Sequence, residues 1–196
     1  MIINISDLET YLGTTISDTT EDKYDMIISS VQSEAEKICY RNFDEQDYIS
    51  ELHDGDGTSE LFLEQFPVRS VNEVKYGSIF GGSERSEIDS DDYLIDKDIG
   101  RLSFGFNSIE NINQVFSVTY NAGWTSVNPS SSSNAPDDLK MILMQEVQIQ
   151  YNNKNVNPGL KSKKLGDANL EYFSNSETGS VSSFAQKLSK YIRSDL

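Results

Sequence analysis

The run DGDGTSE at 54–60 is the stretch of this chain closest to a known ligand-binding pattern. It sets Asp54, Asp56 and Thr58 at alternate positions, as the oxygen ligands of a calcium loop are set. The full loop also needs a glycine at its sixth position and a glutamate at its twelfth, where Ser59 and Gln65 stand. A hairpin turn using glycine where φ is positive accounts for the run more simply. His53, the only histidine, adjoins it, so a metal cluster or a Ser-His-Asp triad has one possible member; it reads as a surface residue flanking the turn. Cys39, the only cysteine, lies beside a helical apolar stripe and reads as a small buried side chain, since a thiol nucleophile would need His53 brought to it. With 32 acidic residues, neighbouring carboxylates such as Asp91 and Asp92 are inevitable and carry little information. GSIFGGSER lacks the lysine and the following helix of a phosphate loop. No catalytic residue, metal ligand or cofactor is therefore expected.

Charge narrows the partners. The formal net charge is −16, yet residues 1–136 hold 25 acidic and 8 basic side chains, while 137–196 hold 7 and 8. Such a front half repels phosphate, which argues against wrapping or sequence-specific contact with DNA. The local basic cluster is Lys161-Ser162-Lys163-Lys164, readable as a solvated loop, as a salt-sensitive contact with an acidic partner such as the front half of a neighbouring copy, or as a weaker DNA-backbone contact. Hydrophobic residues make up 36% of the chain and mean hydropathy is −0.50. Part of the chain is then loop, or part of its apolar surface is completed by a partner. The lone cysteine suits a reducing cytoplasm; neither a secretory leader nor a membrane-spanning run is legible.

These side chains sit on an α+β plan. Ser6-x-x-Glu9 fits a capping box that opens a short helix, and Gly13 closes it. Thr19 or Thr20 caps a second helix, whose stripe is Tyr24, Ile27, Ile28, Val31, Ala35 and Ile38. Short apolar runs at 48–49, 61–63, 71–76, 93–95, 102–104 and 116–120, separated by turn residues, read as antiparallel strands, with Pro67 at an edge or bend. SVNPSSSSNAP at 126–136 reads as a linker. Pro136 then enters a helix carrying Leu139, Ile142, Leu143 and Val147. A last amphipathic helix carries Val181, Phe184, Leu188, Tyr191 and Ile192, capped by Ser180. The expected parts are a helical stretch at 1–46, a β-rich lobe at 47–125, a linker at 126–136 and C-terminal helices with a flexible segment at 137–196. Together they form one composite domain whose terminal helices pack as a small bundle.

In chain order, ISDLETYLG, DKYDMIISSVQSEAEKICYRNF, LHDGDGTSELFLEQFPVRSVNEVKYG, DDYLID, VTYNAGW, PDDLKMILMQEVQIQYNNK and LGDANLEYF resemble the head–tail connector (adaptor, or head-completion) family of tailed bacteriophages. The resemblance implies a non-enzymatic virion protein, made in the host cytoplasm, that forms a twelve-fold ring beneath the portal. It would extend the DNA channel without binding DNA specifically and dock the tail or further neck proteins. Helices at 22–43 and 137–152 would join subunits, and a C-terminal segment at 154–196 would engage the portal. The contacts implied are Ile27, Ile28, Val31, Ile142, Val147, Lys161, Lys163, Lys164, Phe184, Leu188 and Tyr191. Competing readings are a tail-side completion protein of the neck, a small acidic calcium- or sugar-binding module using 54–60, and a hydrolase with paired carboxylates.

Overall fold

A computed structural model of the chain describes residues 1–77, 84–105, 111–126, 133–153, 162–165, 168–171 and 180–193. The chain divides into two compact units, Met1–Tyr40 with Val127–Ile192, and Arg41–Ser126 with Arg193–Leu196. The architecture is α+β, with helices toward both termini and antiparallel sheets between them.

In the helical unit, α1 (Ile5–Leu12) is capped two residues earlier than its sequence predicts. Asn4 Oδ1 accepts from Asp7 N at 2.9 Å and Asp7 Oδ2 accepts from Asn4 N at 3.0 Å. Glu9, the expected reciprocal partner of Ser6, instead accepts from Ile16 N at 2.7 Å and ties down the loop. Gly13 closes α1 in the left-handed region at φ 65°. α2 (Asp18–Cys39) starts after Ser17, which leaves Thr19 and Thr20 inside its first turn. The expected stripe is buried except Ile38, which is half-exposed; Gln32 and Cys39 join it. Gln32 belongs there because its Oε1 accepts the Ile2 N–H at 2.9 Å, satisfying a donor in an apolar setting.

α3 (Asp137–Asn153) buries Leu139, Leu143 and Val147, and α4 (Ser180–Leu188) tightens into a 3₁₀ turn at Ser189–Tyr191. α2 packs against α1, α3 and α4, and α3 packs against α4, so the four make a bundle. Tyr24 stacks on Tyr151 with ring centroids 4.2 Å apart, and Tyr191 Oη donates to Asp138 Oδ1 at 2.8 Å. In the polar stretch after α3, β8 (Ser162–Leu165) and β9 (Ala168–Glu171) pair antiparallel; β9 ends on the strand-like run LEYF at 170–173, and β8 has no such signal in the sequence. The centre of the expected linker, 127–132, lies outside the described residues.

The second unit holds β1 (Gln46–His53), β2 (Glu60–Phe62), β3 (Val68–Tyr76), β4 (Ser86–Glu87), β5 (Tyr93–Asp96), β6 (Arg101–Phe104) and β7 (Phe116–Ala122). One sheet runs β1-β7-β3-β4 and the other β2-β6-β5. Both share a core that includes Leu61, Val74, Leu102, Phe104, Phe116 and Val118. β7 is nearly all buried because it is an inner strand of the larger sheet, paired with β1 and β3. The run at 54–57 does not close a hairpin: β1 and β2 belong to different sheets, and the segment carries the chain between them, with Gly57 at φ 87°. Pro67 lies just before β3, at a bend.

Beyond β7 the backbone closes tightly. Gly123 has φ 109°, and a Cβ there would lie 2.5 Å from Asp44 O. Trp124 N donates to Phe43 O at 2.8 Å and Glu45 N donates to Trp124 O at 2.8 Å. The buried Arg41 guanidinium stacks 3.9 Å from the Phe66 ring centroid and 4.7 Å from that of Trp124.

Candidate functional site

Alternation along β1 breaks at Ser50, which has φ 54° and marks a bulge against β7 between Tyr48 and Glu51. Before the bulge Tyr48 faces inward. After it Glu51 and His53 do, while Ile49 and Leu52 face solvent. The extra residue thus turns a carboxylate and an imidazole toward β7. There Tyr120 Oη donates to Glu51 Oε2 at 2.8 Å and accepts from Gln65 N at 3.2 Å. Glu51 Oε1 accepts from Glu64 N at 3.2 Å and lies 2.7 Å from His53 Nε2.

His53 is therefore not the surface residue expected: its side chain is 9% exposed. Burial pushes the Glu51 carboxyl up, but His53, Tyr120 and the Glu64 N–H together outweigh it and hold Glu51 below the usual carboxylate range. Burial first, then the Glu51 charge, drives the Tyr120 phenol far above its ordinary value. With Tyr120 fully buried, the group is a structural clamp between β1, β7 and the segment after β2.

That clamp has a pH signature. A depressed folded value means Glu51 contributes stability above its unfolded value of about 4.3, lost as pH falls through the folded value. Glu51→Gln keeps the shape and removes the charge, at an expected cost of about 1–2 kcal/mol near neutral pH. In thermal melts, the gap between wild type and variant should be widest above about pH 4.3 and narrow in acid. A gap constant with pH would show that Glu51 acts only by its shape.

The remaining candidates are engaged locally. Asp56 Oδ1 accepts from Thr58 N at 2.8 Å and Thr58 Oγ1 at 2.7 Å, and those bonds lower its pKa; Asp54 Oδ1 accepts from Gln114 N at 2.6 Å. Both carboxylates are thus turned to the protein's own donors. A groove of about 490 Å³ lies along Val71–Val74 and Glu87–Ser90, but its Glu73 pairs with Lys75 at 2.7 Å and its Asp89 caps the 3₁₀ turn at Ser90–Asp92. Glu146 on α3 is raised chiefly by burial; its neighbour Gln150 also reaches Glu34 at 3.3 Å, a bridge between α2 and α3. Cys39 is buried. Residues 78–83, most of GSIFGGSER, lie outside the described residues.

Among the expected contact residues, Ile27, Ile28, Val31, Val147, Phe184, Leu188 and Tyr191 are at most 8% exposed and pack inside the helical unit; Ile142 is half-buried. Lys163 and Lys164 lie on β8, opposite Leu170 and Asn169 in register, and Lys161 lies outside the described residues. The large apolar side chains left exposed on the helices are others: Tyr11, Met26, Met141 and Ile149. Reading the sequence also missed Glu51 and Tyr120. The available signal was the spacing of Ile49 and Leu52, three apart in a strand where two is the rule, which marks the change of phase.

A family model described as head completion protein matches residues 1–164. Among solved structures, the chain is similar to one from the neck of an empty gene transfer agent particle computed with C6 symmetry. That match has a TM-score of 0.58 and 10% identity, covering 100% of this chain and 91% of the other. It is also similar to a chain from the virion of a native gene transfer agent particle, at TM-score 0.56 and 11% identity, again covering 100% and 91%. No curated protein matches it. Among the described residues no helix is long and apolar enough to cross a membrane.

Proposed function

The chain belongs to the head completion protein family, and from that premise we propose that it is a structural part of a phage neck, acting through its surfaces and not through catalysis. The observation that carries this reading is the family match across residues 1–164. Similarity of fold to chains from the neck and virion of gene transfer agent particles supports it.

In its finer form, the proposal is a ring of copies between the portal and the tail, lining the path of the DNA. A relative in a neck computed with C6 symmetry favours six-fold repetition or a multiple of it. Residues 41–126 contain 17 acidic and 6 basic side chains. A passage walled by such a surface lets DNA slide, because each cation–phosphate contact would otherwise retain it.

The test is production of particles without this chain. Filled heads should accumulate without tails, or lose their DNA, and purified protein added back should restore tail attachment; electron micrographs should place it at the head vertex. Particles lacking it but fully infectious would refute the reading.

A further inference from the structure

The seam between α2 and α3 holds two carboxylates that share one hydrogen-bond donor. Glu34 stands on α2 and Glu146 on α3, both half-buried. Gln150 Nε2 donates to Glu34 Oε2 at 3.3 Å and to Glu146 Oε1 at 3.5 Å. Gln150 lies one turn beyond Glu146, so the helical period brings both side chains of α3 to the same point on α2. Among the described residues, neither glutamate has a lysine or arginine within ion-pair distance.

The other charges around this seam are engaged or turned away. On α4, Lys187 acts on Glu146 from a distance, but it is exposed and its Nζ is 3.0 Å from Gln145 Oε1. On α2, Lys37 follows Glu34 by one turn and is exposed, while Glu36 accepts from Gln32 Nε2 at 3.0 Å. At the far end of α3, Asp137 pairs with Lys140 and Asp138 with Lys190. One amide dipole thus serves two negative charges that are partly withdrawn from water, and both burial and like charge penalise ionising the second. Burial, joined by the Glu34 charge, raises the Glu146 carboxyl above the usual range against the pull of Gln150 and Lys187.

We propose that Glu34, Gln150 and Glu146 form a proton-sensitive joint: one proton taken up in mild acid tightens α2 against α3, and its loss near neutral pH loosens them. A raised folded value means that the folded unit holds this proton more tightly than the unfolded chain does. Stability from Glu146 is therefore gained as pH falls through the folded value, and is complete below the unfolded value of about 4.3. The Glu51 clamp of the β unit has the opposite sign and a lower window. Asp138, held below the usual range by Lys190 and Tyr191, weakens the helical unit only below its own unfolded value of about 3.9. Mild acid thus firms the helical unit before stronger acid costs the β unit its clamp. Nothing in this joint depends on the neck reading.

Urea unfolding of the full chain between about pH 7 and pH 4.5 tests it. Far-ultraviolet circular dichroism follows the helices, and fluorescence of Trp124, the single tryptophan, follows the β unit. Glu146→Gln keeps the side chain's shape without its charge, and the site is half-exposed, so the variant folds. Its ellipticity midpoint should lie above wild type by on the order of 0.3 M urea at about pH 7, and that advantage should shrink toward about pH 4.5 as wild type takes up its proton. Glu34→Gln should also raise the midpoint near pH 7 and reduce the wild-type response to acid. Glu36→Gln, on the same helix but bonded to Gln32, should leave that response unchanged. Should the two probes report a single transition, the same difference between variant and wild type is read from either. A Glu146→Gln midpoint at or below wild type near pH 7, or an advantage that does not change with pH, overturns the proposal.

Discussion

Ile28→Asp removes the cooperative unfolding transition of the helical unit. Ile28 is fully buried in the middle of α2, within the stripe that α1, α3 and α4 cover. The substitution loses the transfer energy of a large aliphatic side chain, leaves a cavity, and places a carboxylate among apolar neighbours. Together these cost about 5 kcal/mol, against the roughly 5–15 kcal/mol that holds a typical domain together. The control is two residues away: Met26→Asp, on the exposed face, should change stability by no more than about 0.5 kcal/mol. Urea unfolding followed by far-ultraviolet circular dichroism distinguishes them. A wild-type midpoint for Ile28→Asp would mean that the α2 core face is wrongly assigned.

Gly123→Ala should be nearly as damaging to the β unit. The backbone at φ 109° is already a conformation that side chains rarely adopt, and the new Cβ would lie 2.5 Å from Asp44 O and 2.8 Å from Glu45 N. Relief requires moving backbone that is itself bonded, since Gly123 N donates to Pro67 O and the adjoining Trp124 bonds to Phe43 and Glu45. Strain of this kind with backbone displacement costs about 3–5 kcal/mol. Gly13→Ala separates the two contributions: its φ is 65° but nothing lies within 4 Å of the added carbon, so about 1 kcal/mol is expected. If both alanines lower the melting temperature equally, the close approach at Gly123 has no energetic weight.

What could be read in advance follows from which interactions are local. The α2 stripe and the strand runs were legible because helical and strand periods imprint on neighbouring residues. The Gly13 stop was legible because a left-handed cap favours glycine. The α1 cap was misplaced because Asn4-x-x-Asp7 and Ser6-x-x-Glu9 are equally good patterns, and burial of Ile2, Ile3 and Leu8 determined which one the helix used. The 54–57 run was mistaken for a hairpin because a turn residue shows that the chain reverses, not which strand it then meets; the partner of β1 is β7, some 70 residues away. The Glu51–His53–Tyr120 clamp depends on that distant pairing and on the bulge, so no neighbouring residues announce it. The helical apolar residues were correctly seen as helix faces, but whether a face meets its own chain or another is a tertiary property that periodicity does not carry.

The left-handed residue at Ser50 has a consequence for behaviour in a crowd. β1 borders its sheet, and Ile49 and Leu52 point outward from it, 79% and 43% exposed. A flat, greasy border of that kind is a template on which further strands accrete. The irregularity at Ser50 interrupts the row of amide and carbonyl groups and increases the local twist, so a sibling strand laid alongside finds no continuous ladder to extend. Copies held shoulder to shoulder can then remain discrete molecules instead of fusing along their sheets.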